Sequence, residues 1–289
     1  MTTPTEKLYE LIDTLLTSVR VLAALRYGPP RRIKPAQGEL LHILANGPSL
    51  KKLTVGELQG DKLALNLFAS THAYLLAKPA HYVLLSPAFW PSGPEQQAGK
   101  PHLQTLRDIV EKTTWPMVLY VPRKSGGFIP EKVKGNTNVH IQYYADTPVE
   151  GFAGICHRFY DWQLGMPRPH NVLIPSIMIG IWAGYKSIQL HGVDHSWLPL
   201  LHVDEHNNAL LEQRHFYDAG KTRAQPMPIA GNDERRRKLH EILEKFQLIF
   251  RAYHTIEAYA KSRDVRIINC TKGSFIDAFE RGQPSLGGL

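Results

Sequence analysis

The sequence predicts an α/β fold, a mostly parallel, Rossmann-like sheet flanked by helices. Three observations lead to it. Beyond Pro35, short apolar runs alternate with segments of helical periodicity, the pattern of parallel strands joined by crossover helices. At 289 residues and 32.7 kDa the chain is long enough to bury such a sheet. An apolar fraction of 43%, with 21 prolines spread along the chain, fits a globular protein and excludes a disordered, collagen-like or repeat protein.

The elements follow in order. Over 6–27, Leu8, Leu11, Ile12, Leu15, Val19 and Leu22 recur at three- and four-residue spacing, with Lys7, Glu10, Asp13 and Arg20 elsewhere on the wheel, which predicts an amphipathic helix. Gly28-Pro29-Pro30 stops it. No acid occurs from Thr14 to Gly38, whereas Arg20, Arg26, Arg31, Arg32 and Lys34 are basic, a balance suited to an anionic membrane surface. A helix packed on its own domain or on a second subunit of a homo-oligomer is the other reading. Strands are predicted at 40–45, 62–68, 81–86, 117–121, 139–144, 186–191 and 265–269, and helices at 70–78, 101–113, 171–184 and 233–262. The stretch 195–232 is polar, rich in histidine and too long for a simple connection, so it is predicted to leave the sheet as a lid. The cluster from Asp233 to Lys238 is predicted to open the last long helix, with its four basic residues on a solvated face.

Charge and composition narrow the function. No apolar run reaches the roughly 20 residues of a spanning helix, and Met1 to Glu10 has no apolar signal core, so a cytosolic protein, peripheral on the inner membrane face, is expected. Cys156 and Cys270 lie far apart with no second thiol near either, as reduced structural cysteines do. The formal net charge of +8 points to an anionic partner. Nucleic acid is not expected, since no zinc finger, basic heptad region or RNP1-like motif is present.

In an open parallel sheet, ligands bind outside the carboxyl ends of the strands, so residues directly after strands carry the functional information. Asn46-Gly47-Pro48-Ser49 allows close backbone approach, fixes a turn and leaves N–H groups free to face a phosphate. Ser86-Pro87 follows the third strand. Gly192-Val193-Asp194 opens the excursion, and Thr271 to Ser274 forms a polar turn that is predicted to start a final helix through Phe275, Ile276 and Phe279, capped by Ser274. Four such turns at one sheet edge describe a crevice of amides, hydroxyls and one carboxylate, suited to a nucleotide phosphodiester or diphosphate. No GxGxxG follows the first strand, and no GxxxxGK[ST] occurs. His202-Val-Asp-Glu-His206 raises a zinc reading, because histidines four apart can share a helix face, but no third ligand is placed by spacing.

LANGPSL (44–50), AGYKSIQLHGVDHS (183–196) and INCTKGSFIDAFER (268–281) occur in an order and spacing that resemble the bacterial sialyltransferase family of the Campylobacter lipooligosaccharide enzymes and its relatives. The resemblance runs over about 39–281. It implies a catalytic nucleotide-binding domain over 39–289 with a lid at about 195–232, preceded by the basic helix and linker of 1–38. It further implies a glycosyltransferase that takes a CMP-activated sugar as donor substrate, needs no metal or other cofactor, inverts the anomeric carbon, and acts on a hydroxyl of a surface glycan or glycolipid.

Carried over, Asn46, Gly47, Pro48 and Ser49 fall on the family's nucleotide-binding turn, and Asn66 falls near an asparagine that contacts the donor. Ser86 stands where the family often has asparagine. After Gly192-Val193-Asp194 the family has a tyrosine that binds the leaving phosphate, and here His195, Ser196 and Trp197 follow. The family's base is a lid histidine after a tyrosine; here the lid offers Arg214-His215-Phe216-Tyr217, with His215 as base and Tyr217 and Arg214 beside the departing phosphate. The chemistry asks for the same types, since histidine titrates near working pH and phenol or guanidinium groups stabilise an oxyanion. No DxD occurs in the chain. His195 competes with His215 for the role of base. A pterin diphosphokinase-like enzyme using ATP and magnesium, and a nucleotide-binding protein without catalysis, are the rival functions.

Overall fold

The computed structural model describes residues 3–28, 32–90, 100–212, 215–216, 223–229 and 232–286. The chain begins with helix α1 (Pro4–Ala24), which leads to strands β1 (Leu40–Leu44), β2 (Asp61–Leu65) and β3 (His81–Val83), with the short helix α2 (Ala73–Ala77) between the last two. Helix α3 (Lys100–Lys112), strand β4 (Met117–Pro122), helix α4 (Phe128–Val133) and strand β5 (Val139–Tyr144) follow. Helices α5 (Ala153–Asp161) and α6 (Leu173–Trp182) return the chain to β6 (Ser187–His191). The excursion carries β7 (Leu201–Val203), β8 (Ala209–Leu211), β9 (Gln225–Pro226), β10 (Pro228–Ile229) and β11 (Asn232–Arg236). Helix α7 (Leu239–Lys261), β12 (Arg266–Asn269) and β13 (Glu280–Arg281) end the fold.

Eight strands pair in the order β13-β12-β6-β1-β2-β3-β4-β5, and every pairing is parallel. This is the predicted α/β architecture. The two-residue period of the strands divides the core between the faces. Leu41 and Ile43 of β1, Leu63 and Leu65 of β2, and Ile188 and Leu190 of β6 face α6 and α7, where Ile177, Met178, Ile249 and Ile256 meet them. Leu44, Ala64, Leu119 and Val121 face the other way, onto Leu106, Ile109, Ile129 and Val133 of α3 and α4. All ten residues of α6 are buried, which explains its largely apolar sequence; the one hydroxyl, of Ser176, donates to the Val172 carbonyl at 2.8 Å.

The predicted strand starts hold to within a residue; β1 and β3 end earlier than predicted, at Leu44 and Val83, and β2 ends at Leu65 because 66–70 tightens into a 3₁₀ turn. Two expectations fail. The basic cluster from Asp233 does not open α7: its backbone pairs as β11 against β10, and α7 starts at Leu239, where the Glu241 carboxylate accepts the Lys238 N–H at 2.8 Å. The final helix is absent. The Ser274 hydroxyl accepts from the Ile276 N–H at 3.2 Å and donates to the Val193 carbonyl at 2.6 Å, a local turn that competes with a helical one. Helices α4 and α5, and β13, carry too short a periodicity to be read in advance.

Helix α1 leaves its apolar stripe uncovered and docks through other residues. Leu8, Leu15, Val19 and Leu22 are 56%, 60%, 63% and 67% exposed, whereas Thr17 and Val21 are buried. The Thr17 hydroxyl donates to the Glu150 carbonyl at 2.8 Å and accepts from the Glu150 N–H at 2.9 Å, and Thr14 accepts from the Phe152 N–H at 3.0 Å. The Glu150 carboxylate binds Arg20 and Arg168. Among the described residues, no helix is long and apolar enough to cross a membrane.

Buried histidines brace the sheet. His42 Nε2 donates to the Gln59 carbonyl at 2.7 Å, which leaves Nδ1 to accept from His191 Nε2 at 3.0 Å. Protonation of His42 would set two donors against each other. Burial holds His42 below its ordinary value and pushes His191 down to about 3.

Two outcomes test this packing. Thr17→Val removes both partners of Glu150's backbone and should cost about 1 to 3 kcal/mol in urea unfolding; an unchanged midpoint would show that α1 is not held by this contact. The histidines set a pH dependence. Their folded pKa values lie below the unfolded value near 6.5, so the unfolded chain binds more protons and stability is complete above that pH and falls as pH drops toward 3. The urea midpoint should already decline between pH 7 and 5, above the range where most carboxylates titrate; a flat midpoint there contradicts neutral burial.

Candidate active site

The chain adds β2 to β5 on one side of β1 and β6, β12 and β13 on the other, so the order reverses between β1 and β6. Open α/β sheets bind ligands at that reversal, beyond the carboxyl ends of the strands. Here the two ends touch. Ala45 N–H donates to the His191 carbonyl and Gly47 N–H to the Gly192 carbonyl, both at 2.8 Å. The Ser49 hydroxyl donates to Asp194 Oδ2 at 2.7 Å, and the Ser49 N–H lies 3.3 and 3.4 Å from the two carboxylate oxygens. A Cβ on Gly47 would stand 2.0 Å from Asp194 Oδ2 and 2.3 Å from the Gly192 carbonyl, so only glycine fits. Gly192 itself has φ +67°.

Around this junction opens a cavity of about 610 Å³, within the size range of small-ligand sites. Its floor comes from Asn46, Gly47, Pro48, Asn66, Ser86, Gly192 and Asp194, all predicted site residues. Asn46 Nδ2 donates to the Leu65 carbonyl at 3.3 Å, and its Oδ1 is buried without a partner, left to receive a donor from a ligand. Asn66, at φ +47°, accepts from the Leu85 N–H through Oδ1 at 3.2 Å and so ties β2 to β3. The Ser86 hydroxyl accepts from the Ala88 N–H at 3.3 Å as a cap.

Other predicted residues serve the site from outside it. Ser49, Thr271 and Ser274 do not line the cavity. Ser49 engages Asp194. Thr271 accepts from the Val193 N–H at 3.1 Å, and Ser274 donates to the Val193 carbonyl, so both hold the 192–194 turn in place. Arg214 and Tyr217 lie outside the described residues. His202 sits on β7 and His206 in the turn that follows, where the Asp204 carboxylate accepts the His206 N–H at 3.0 Å, so the pair shares no helix face. Among the described residues, no group of three or more His, Cys, Asp and Glu could hold a metal ion.

The excursion closes one side of the cavity. Phe216 N–H donates to the Asn46 carbonyl at 2.9 Å, and its ring packs on Phe68 with centroids 5.6 Å apart, which holds His215 at the cavity wall. Trp197 stacks on Phe246 of α7 at 5.3 Å and on His195 at 4.3 Å. His195 is buried, hydrogen-bonds the Tyr253 hydroxyl through Nε2 at 2.7 Å, and is pushed by burial down to about 3. His195 and Trp197 both line the cavity.

Sequence reasoning missed Lys124, His170, Asn171, Arg237 and Lys245, which also line the cavity. Lys124 is paired with Asp146 at 2.5 Å, and Asn171 caps the entry to α6 by accepting the Leu173 N–H at 2.7 Å. Arg237 belongs to the cluster read as a solvated face, and Lys245 to the polar side of a long helix. No local pattern marks either; the fold turns them inward.

The junction yields one prediction. Gly47→Ala should lower stability by about 1 to 3 kcal/mol, since backbone and carboxylate must move to admit the methyl group, and a thermal-denaturation midpoint equal to wild type would refute the tight β1–β6 contact.

No protein-family model matches the chain, and no curated protein matches it. Solved structures are similar to it in fold. One is the Maf glycosyltransferase from Magnetospirillum magneticum AMB-1, at 11% identity and a TM-score of 0.47 over 92% of this chain; this chain spans 38% of that protein. A second is the sialyltransferase CstII from Campylobacter jejuni in complex with the substrate analogue CMP-3FNeuAc, at 14% identity and a TM-score of 0.44 over 87% of this chain and 89% of that one. A third is the monofunctional alpha-2,3-sialyltransferase Cst-I from Campylobacter jejuni, at 12% identity and a TM-score of 0.35 over 90% of this chain and 86% of that one.

Proposed function

We propose that this protein is a glycosyltransferase that moves a sugar, sialic acid or a similar one, from a CMP-activated donor to a hydroxyl of a bacterial surface glycan or glycolipid, with inversion and without a metal ion. One observation carries the reading: the cavity at the β1–β6 reversal is built from the turns that resemble the sialyltransferase motifs, and the 215–216 segment brings an imidazole to its wall. In this reading Asn46 and the turn through Pro48 receive the nucleotide. His215 accepts the proton of the attacking hydroxyl as the new bond to the anomeric carbon forms. The bond from that carbon to the phosphate oxygen breaks, and its electron pair leaves with CMP. Arg214 and Tyr217, next in sequence to His215 and Phe216, are assigned to the charge that develops on the phosphate.

The N-terminal helix extends the proposal to the acceptor. Leu8, Leu15, Val19 and Leu22 project from the body, with Lys7, Arg26, Arg32 and Lys34 exposed nearby, a surface suited to anionic lipid where a glycolipid acceptor resides.

Thermal shift in EDTA should show CMP and CTP stabilising the protein more than purine nucleotides do, because a ligand bound only by the folded state raises its melting temperature. A magnesium-dependent preference for ATP would instead favour the diphosphokinase-like rival. General-base catalysis contributes about 10²- to 10⁴-fold, so His215→Ala should lower transfer by that factor with CMP affinity nearly unchanged, and wild-type transfer by the variant removes His215 from the mechanism.

A further inference from the structure

We propose that Arg237, Lys245 and His170 form an oxyanion-binding site in the wall of the cavity, built to hold an anionic group of the ligand apart from the β1 turn. The inference rests on the reading that a donor occupies this cavity, and names the part of the donor these residues take. Arg237 stands between β11 and α7, Lys245 on α7, and His170 in the approach to α6, so three separate elements converge on one wall.

Among the described residues, neither Arg237 nor Lys245 has a carboxylate partner, whereas Arg168 and Arg20 share Glu150 and Lys124 holds Asp146. Among the described residues Asp194 is the one carboxylate lining the cavity, and it accepts the Ser49 hydroxyl. Arg237 Nε and His170 Nε2 are buried with no hydrogen-bond partner. A buried guanidinium donor left unpaired is costly and rare, so Arg237 Nε calls for an acceptor, and His170 Nε2 adds a second donor in the tautomer or charge state that carries its proton. Burial, and then the guanidinium of Arg237, hold the Lys245 ammonium below its ordinary value, while burial first and then the charges of Arg168, Lys245 and Arg237 lower His170. A bound oxyanion reverses these repulsions.

The geometry is held in place without a ligand. The Arg237 N–H donates to the Met227 carbonyl at 2.9 Å, and Phe246 and Ile249, beside and one turn beyond Lys245, are buried in the core. The partner chemistry is therefore an oxyanion, supplied by the nucleotide phosphate or by a carboxylate on its sugar.

Calorimetric titration of the full chain at low salt separates the sources, with cytidine, CMP, CMP-sialic acid and inorganic pyrophosphate as probes. Lys245→Met and Arg237→Gln should each weaken an anionic probe about ten- to a hundredfold, the range of one charge-assisted hydrogen bond, while cytidine binding stays unchanged and the melting temperature of the unliganded protein does not fall. Loss confined to CMP-sialic acid assigns the site to the sugar carboxylate, and loss extending to CMP assigns it to the phosphate. Loss of pyrophosphate binding in a protein that ignores cytidine nucleotides keeps the oxyanion site and discards the CMP-donor reading. Wild-type affinity of both variants for CMP, CMP-sialic acid and pyrophosphate, or no binding of any of the three by wild type, overturns the proposal.

Discussion

The close contact between the ends of β1 and β6 is the constraint on which the site depends. These strands are neighbours in the sheet although more than a hundred residues separate them in the chain, and beyond their last ladder bonds the turns stay in contact through Gly47 and Gly192. The approach is close enough that the Asp194 carboxylate reaches across to accept the Ser49 hydroxyl. Thr271 and Ser274 grip the two polar groups of Val193 from the β12 side, so the turn is held from both flanks. The N–H groups of Gly47 and Ser49, expected to stay free for a phosphate, are instead used within the protein, on the Gly192 carbonyl and the Asp194 carboxylate, because the two strand ends approach so closely.

Electrostatics at the cavity follow from local pairing more than from the net charge of +8. Arg263 is bound by Asp161, Arg266 by Glu280, and Arg20 and Arg168 by Glu150, which leaves Arg237 and Lys245 as the cationic wall. The same sorting applies to histidine. His42, His191 and His195 are buried and hydrogen-bonded, and burial lowers the proton affinity of each, while His215 is held at the cavity wall by its neighbour Phe216. Environment distinguishes them, since the side chain is the same.

Helix α1 shows how backbone satisfaction can outweigh apolar burial. Its leucine stripe would gain more by being covered, yet the helix docks through threonines because the turn at Glu150 presents an N–H and a carbonyl that one hydroxyl satisfies together. The apolar face is thereby directed outward as a consequence of the polar face being used.

The sequence by itself determined the parallel α/β class, the starts of the sheet strands, the place of α6 and α7, and the turns that floor the cavity, because those features rest on local periodicity and on the residues that strand ends require. Asn46, Gly47, Ser86, Gly192 and Asp194 were legible for that reason, and Asn66 through the resemblance alone. Only the tertiary structure decided that Ser49, Thr271 and Ser274 support the floor from outside, that the basic run before α7 pairs as a strand, and that Arg237 and Lys245 face inward. A charged residue on a helix or strand carries no local mark of the side it will face. That side is set by where the element packs, and packing joins residues the sequence holds far apart.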